Sequence, residues 1–287
     1  MTLTFAVALA LLAAVGTATA ATARPPIVGA TMTTGHGKLV QLDPLTLEPR
    51  GAPLATFALP WSVVRSSSGV QLGLAAGDGG LRVIDATTGA IVRRLAIGQT
   101  SLSPAILTPT RLLAITGTAR SSVVVADPRT DRVIGRRPLG GTLIGGAASH
   151  GRLVLLVGPT TGLGTTRLVV VSSSGHLRAV ALPQIRSGMR PPLTSNGSVR
   201  DESPGLAVDP SGARAAIVDG DGRVVIVNLR TLGSETHRVV LRSLAAAQKQ
   251  LTGWNRQAAW LAPNVLAVSG VDYASRPRPA GLRLIDT

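Results

Sequence analysis

One phrase recurs six times along the 287-residue chain and constrains its fold more than any other feature. Each copy has an apolar quartet that ends in Asp or a small polar residue, then a turn, then a second apolar stretch. Clear copies are LRVIDATTGAIVRRLAIG from Leu81 and VVVADPRTDRVIGRRPLG from Val123. The aligned polar positions are Asp43, Asp85, Asp127, Ser172, Asn228 and Asp286, with spacings of 42, 42, 45, 56 and 58 residues.

Two further apolar runs precede the phrase within each period. The clearest unit, Pro204 to Leu241, has β-branched runs separated by Gly, Pro, Asp and Ser pairs, which predicts short antiparallel strands joined by tight turns. Four strands in about 42 residues is the period of a propeller blade, whereas a parallel β-helix or a leucine-rich horseshoe repeats about every 20 to 25 residues. We therefore predict an all-β protein, a β-propeller of four-stranded antiparallel blades with about six repeats.

The repeat resembles a known group of bacterial proteins. The segments DPSGARAAIVDGDGRVVIVNL and VVVADPRTDRVIGRRPLG are similar to the YVTN/WD-type propeller repeats of secreted bacterial proteins, a group that includes TolB-like and lactonase-like propellers. The similarity extends from Ile27 to the C-terminus and implies architecture only, because the Trp-Asp and Gly-His pairs of eukaryotic WD repeats are absent.

Two insertions account for the longer spacings. Residues 183–203, PQIRSGMRPPLTSNGSVRDES, form a Pro/Gly/Ser segment without periodicity, and we expect a loop there. The second insertion spans 242–253, and its SLAAAQKQL run predicts a short helix over 243–251. Both lie where the outer strand of one blade leads to the inner strand of the next, so we expect them on the same face.

The ends of the repeat array do not balance. The first unit, from Ile27, lacks an innermost strand, and the last unit stops where its outermost strand should begin. A propeller ring normally closes by pairing strands from the two ends, which protects exposed edges. We therefore expect an incomplete ring at the C-terminus, as in a fragment of a six- or seven-bladed protein.

The first 23 residues differ from the rest of the chain. An apolar run from Phe5 to Val15 is followed by small residues with A-x-A spacing, which is typical of a signal peptide, although MTLTF lacks the usual positive charge. An uncleaved N-terminal anchor and a cytoplasmic first strand are the alternatives. We predict a signal peptide or anchor over 1–23, a propeller domain over 24–287, and an extracytoplasmic location in the bacterial cell envelope.

Charge and composition exclude several classes of function. The formal charge is +15, but the arginines are spread singly or in pairs and aromatic residues make up only 2% of the chain, so no specific nucleic-acid binding is expected. Association with an anionic wall polymer through charge alone stays open. Zero cysteines exclude disulfides, thiolate metal sites and cysteine nucleophiles.

Most residues with reactive side chains have a structural interpretation. We expect the aligned Asp residues and the Asp219-Gly220-Asp221-Gly222 segment to form turns, and the four histidines fall at no ligand spacing. Apolar strands such as GGAA and GLAV, which we interpret as the inner strands, carry no metal ligands. No metal site, cofactor or catalytic residue is predicted.

The insertions supply the best candidate for a binding surface. If they flank one mouth of the propeller, their cations, carboxylates and one aromatic ring would suit an anionic or polar ligand, or a protein partner. The candidate residues are Arg186, Arg190, Arg200, Asp201, Glu202, Trp254, Asn255 and Arg256. The sequence therefore favours an exported binding or scaffold module, with a propeller hydrolase or lactonase that uses an axial metal as the alternative.

Overall fold

A computed structural model describes residues 6–7, 26–58, 61–76, 80–97, 100–117, 120–190, 200–241, 244, 253–272 and 278–287. In this part of the chain every regular element is a β-strand, so the protein is all-β, as predicted. Of the predicted helix over 243–251, only Leu244 lies within the described residues.

The described strands are numbered in chain order. They are β1 Ala6–Val7, β2 Ile27–Thr33, β3 His36–Leu42, β4 Pro49–Ala58, β5 Trp61–Arg65, β6 Gln71–Ala76, β7 Leu81–Asp85, β8 Ile91–Leu95, β9 Thr100–Leu107, β10 Leu112–Thr116, β11 Ser122–Asp127, β12 Arg132–Pro138, β13 Thr142–Ser149, β14 Arg152–Gly158, β15 Gly162–Val171, β16 Leu177–Arg190, β17 Arg200–Ser203, β18 Gly205–Val208, β19 Arg214–Val218, β20 Arg223–Asn228, β21 Ser234–Arg238, β22 Trp254–Ala262, β23 Val265–Asp272, β24 Arg278–Pro279 and β25 Arg283–Asp286.

Antiparallel meanders join strands that are consecutive in sequence. Four sheets have four strands each, in the orders β1-β2-β3-β4, β5-β6-β7-β8, β12-β11-β10-β9 and β18-β19-β20-β21. The fourth and sixth repeats belong to one nine-stranded sheet, β13-β14-β15-β16-β17-β22-β23-β24, in which β25 also pairs with β23. The structure therefore contains several four-stranded antiparallel sheets, and a single strand, β17, links β13–β16 to β22–β25.

The chain divides into two compact units. The first comprises Met1–Ala114 and Val124–Ile134, and the second comprises Ile115–Val123 and Gly135–Thr287. In the first unit, the sheet β5–β8 buries both of its faces. Leu72, Leu74 and Ile84 pack with residues of β2–β4, and Leu81 and Val83 pack with residues of β9–β11.

The second unit repeats this arrangement around the sheet β18–β21. Ala215 and Ile217 pack with apolar residues of β14–β16, whereas Ala216 and Val218 pack with Leu266 and its neighbours in β23 and β25. Successive residues of β19 thus point to different neighbouring sheets, as the period of two in a strand requires. Burial on both faces explains why the central strands read as unbroken apolar runs.

Five of the six aligned polar residues form turns, as predicted, whereas Asp286 is the last residue of β25 and no turn follows it in the structure. Asp43 Oδ1 accepts hydrogen bonds from the N–H groups of Leu45 and Thr46, and Asp85, Asp127 and Asn228 accept the equivalent bonds. Ser172 makes the turn with its hydroxyl, which accepts from the His176 N–H at 3.1 Å. A short side-chain acceptor at this position fixes the backbone without help from distant residues.

Each of these turns also contains a residue with positive φ. Leu47, Asp131 and Leu232 have φ of 58°, 53° and 64°, and Gly89 holds the same place in the Asp85 turn. The Ser172 turn is one residue shorter, and its residue with positive φ is Gly175. Only glycine adopts this left-handed conformation without steric cost. The turns at Asp43, Asp85, Asp127 and Asn228 therefore place a left-handed residue four positions after the polar residue, although the identity of that residue varies.

Two details differ from the sequence predictions. Residues 183–190 continue strand β16 and residues 200–203 form β17, so much of the first insertion is paired backbone rather than loop. Within it, Ser187 is buried and accepts a hydrogen bond from Thr166. Strand β1 pairs with β2, so the first sheet has the fourth strand that we expected to be missing.

The positive φ of Leu47 makes the turn testable. We expect Leu47→Gly to raise the free energy of unfolding by about 0.5–1 kcal/mol, because relief of left-handed strain exceeds the entropic cost of glycine. Leu45 lies in the same turn, is 92% exposed and lacks a positive φ, so Leu45→Gly should lower stability by about 0.5–1 kcal/mol. Urea unfolding of both variants measures the difference, and equal losses would contradict the assignment.

Candidate functional site

Strand β17 brings the two insertions together. It pairs antiparallel with β16, where Gly188 lies opposite Glu202, and parallel with β22, where Glu202 lies opposite Trp254. Trp254 in turn lies opposite Asp272 of β23. Directly paired residues share one face of a sheet, so Glu202, Trp254 and Asp272 form a row on the same face.

This row belongs to a buried set of charged residues. Arg256 follows Trp254 by two residues and so lies on the same face of β22. Glu202 is 7% exposed, and Arg256 and Asp272 are each 4% exposed. With Asp219, which is 5% exposed, these residues form what we call the buried charged cluster: Glu202, Asp219, Arg256 and Asp272.

Arg256 attaches β22 to the turn between β19 and β20. Its Nε donates to the Asp219 carbonyl oxygen at 3.2 Å, and its Nη2 donates to the Gly220 carbonyl oxygen at 3.1 Å. Burial lowers the pKa of Arg256, while the nearby carboxylates of Asp219 and Asp221 raise it. A guanidinium remains protonated in proteins, so the turn is held by a charged, two-pronged donor.

The carboxylate of Asp219 accepts hydrogen bonds from backbone N–H groups of its own turn. Its Oδ1 accepts from the N–H groups of Asp221 and Arg223, both at 2.8 Å, as expected for the predicted hairpin. Burial raises the pKa of Asp219 above the ordinary aspartate value, although these two hydrogen bonds act in the opposite direction. The side chain therefore gives the turn its shape at an electrostatic cost.

Trp254 covers the same turn with its indole ring. A Cβ placed on Gly220 would lie 2.7 Å from Trp254 Cε2, so only glycine lets the ring approach this backbone. The ring is 4% exposed, and its N–H has no acceptor among the described residues. The N-terminal end of β22 is thus fixed by one aromatic ring and one guanidinium on the 219–220 backbone.

The structure separates the eight predicted site residues into buried and accessible groups. Glu202, Trp254 and Arg256 are buried, whereas Arg186 is exposed and Asp201 and Asn255 are half-buried. Arg190 and Arg200 lie opposite each other where β16 pairs with β17. The insertions do meet, as expected, but three of the candidate side chains face the interior.

Sequence reasoning did not assign two members of the cluster. Asp219 was interpreted only as a turn residue, and Asp272 was not considered. Each stands at the end of an apolar run, AAIVD and VSGVD, where a carboxylate leaves a buried strand. An Asp directly after the apolar run in both the fifth and the sixth repeat was the signal in the sequence that could have identified them.

The other reactive side chains form no complete catalytic set in the described part of the chain. Ser149 Oγ lies 2.9 Å from His150 Nδ1, yet both belong to an exposed hairpin and no ion pair with a carboxylate is described for His150. Of the described residues, no three His, Asp or Glu side chains are placed to hold a metal ion.

No protein-family model matches the chain, and none of the curated proteins matches it. No helix within the described ranges has the length and apolar character that a bilayer span requires.

Replacing Arg256 tests its role as a tether. We expect Arg256→Met to lower the free energy of unfolding by about 3 kcal/mol, because two buried carbonyls and a buried carboxylate lose their cation. Arg186→Gln, at an exposed position of β16, should change it by less than about 0.5 kcal/mol. Urea unfolding measures the free energy of unfolding of both variants, and equal values would show that Arg256 does not stabilise the turn.

The opposite pKa shifts of two aspartates give a pH test. Asp219 has a raised pKa, so its contribution to stability falls as pH rises from the ordinary aspartate pKa through the folded-state pKa. Over that pH range the free energy of unfolding of Asp219→Asn should therefore increase relative to that of the wild type. Hydrogen bonds from the Thr88 and Thr87 N–H groups lower the pKa of Asp85. Asp85→Asn should therefore be less stable at neutral pH, with a deficit that disappears as pH falls through the lowered value. Urea midpoints across pH measure both, and parallel curves would contradict the assignments.

Proposed function

We propose that the chain is an exported β-propeller that acts as a binding or scaffold module of a bacterial cell envelope. The observation that supports this best is the contact between first strands of successive sheets. In the first unit β5 contacts β9, and in the second unit β13 contacts β18 and β18 contacts β22. In a propeller the first strand of each blade lies next to the central axis and contacts the first strand of the next blade, and the fourth strand lies at the outside. The contacts between first strands are therefore those expected around a propeller axis.

Binding is favoured over catalysis by the residues near such an axis. The first strands β5, β9, β13 and β18 contain no Asp, Glu or His. A hydrolase or lactonase with an axial metal needs two or three such ligands at the starts of inner strands. The carboxylates of the described residues lie instead in turns, at strand ends, in β17 and in β21.

The accessible residues beside the buried charged cluster form the proposed binding surface. Arg186 is exposed on β16, and Asp201 and Asn255 are half-buried on the paired strands β17 and β22. Asp201 is held in place by the Ser203 hydroxyl, which donates to its Oδ1 at 2.9 Å. A cation, a carboxylate and an amide on fixed strands suit a polar or anionic ligand.

Export is tested at the N-terminus. We expect the extracytoplasmic protein to begin at Ala21 or Arg24, because small residues at 18, 20, 21 and 23 fit the requirement of a signal peptidase. Cleavage at either site removes the two-residue strand β1 and leaves β2–β4 in the first sheet. Mass spectrometry of protein recovered from the extracytoplasmic fraction gives the first residue. A chain that begins at Met1 would contradict cleavage and favour an anchor.

Binding is tested by a thermal-shift screen of acidic polymers and neutral saccharides. A ligand of the proposed surface should raise the Tm by mass action, and an Arg186→Gln, Asn255→Ala double variant should lose most of that increase. Arg94→Gln, at an exposed position of β8, is the control and should retain it. Metal analysis accompanies the screen: stoichiometric calcium or zinc would overturn the preference for a non-enzymatic module.

A further inference from the structure

A groove in the second unit lies at the start of β16, and its lining shares no residue with the proposed binding surface. It has a volume of about 340 Å³ and lies between the end of β12 and the turn that joins β15 to β16. Its lining residues are Arg137, Pro138, Ser174, Gly175, His176 and Leu177.

The groove contains cationic and hydroxyl groups and no carboxylate. Arg137 and His176 are both exposed, and neither takes part in an ion pair with any described residue. At the next turn along the chain, by contrast, an outer-strand arginine contacts the turn itself, because Arg178 donates to the Arg230 carbonyl oxygen at 2.7 Å. The guanidinium of Arg137 thus remains available to a ligand.

The turn at this groove is the one that replaces the aligned carboxylate by a hydroxyl. Asp43, Asp85 and Asp127 put a negative charge on the corresponding turns, and Arg50 and Arg129 pair with two of them. Ser172 shapes its turn with no charge. The groove therefore lacks the negative charge that the Asp43, Asp85 and Asp127 turns carry. The Asn228 turn lacks it too, but there Arg178 is bonded to the Arg230 carbonyl oxygen.

The hydrogen bonds within the turn direct a hydroxyl donor outwards. Ser172 Oγ already accepts from the His176 N–H at 3.1 Å, and it lies 2.7 Å from Ser174 Oγ. When the Ser172 hydroxyl donates to Ser174, the hydroxyl hydrogen of Ser174 is free to donate into the groove. Ser174 is exposed, so a ligand can reach it.

We propose that this groove binds a phosphate group, held by the Arg137 guanidinium, the His176 imidazole and the Ser174 hydroxyl. Guanidinium groups bind phosphate oxygens with paired hydrogen bonds, and a hydroxyl donor adds a third direction to the site. Phosphate monoesters and phosphodiesters share this chemistry. The site requires neither export nor closure of a ring, so it stands or falls separately from the proposed function.

The test is an NMR titration of the whole chain at constant ionic strength. Inorganic phosphate should cause saturable shifts of the Gly175 and His176 amide signals, whereas chloride at equal ionic strength should not. Glycerol 3-phosphate and dimethyl phosphate then distinguish a monoester from a diester source. Binding of either class supports the site. If none of the three phosphates binds saturably, the proposal is overturned.

Variants separate a defined site from general attraction to a cationic surface. Arg137→Gln should weaken phosphate binding about fivefold or more, and Ser174→Ala about twofold. Ser172→Asp restores the turn acceptor of the other repeats, so it should fold normally and lose binding about tenfold or more. Arg132→Gln, at an exposed position of the same outer strand, should change affinity by less than about twofold. Equal weakening by Arg132→Gln and Arg137→Gln would overturn the proposal.

Discussion

Burial of the central strands on both faces is the constraint on which the rest of the structure depends. In the sheet β5–β8, Leu72 and Leu74 face one neighbouring sheet, and Leu81 and Val83 face the other. Such strands have no solvent face and so no place for an uncompensated charge. Ionisable side chains are therefore found mainly in turns, in outer strands such as β12, and in the buried charged cluster, where each is compensated by hydrogen bonds or by an opposite charge.

The features that sequence could predict are those fixed by local chemistry. The Asp85 and Asp127 turns follow from a carboxylate that bonds to N–H groups two or three residues away, and this geometry needs no distant contact. The strands follow from apolar runs of blade-like period. Both kinds of signal are contained within about 20 residues of chain, which is why the repeat was visible without a structure.

The features that sequence did not predict depend on pairing between distant segments. Glu202, Trp254 and Arg256 look like surface residues because charged side chains usually are exposed. Their burial results from the parallel pairing of β17 with β22, about 50 residues further along the chain. Ser187 and Gly188 likewise suggested a loop, whereas the structure uses Ser187 as the partner of a buried Thr166 hydroxyl.

The link through β17 has a consequence for how the second unit unfolds. In an ordinary repeat array each repeat contacts only its neighbours, so stability is a sum of nearest-neighbour contributions and the array can fray from its ends. Strand β17 instead joins the sheet of the fourth repeat to that of the sixth, with the fifth repeat in the intervening chain. Loss of the last repeat would then expose an edge of the fourth repeat's sheet as well. The three repeats are thereby coupled into a single cooperative block, in which hydrogen-exchange protection should be shared rather than graded along the chain.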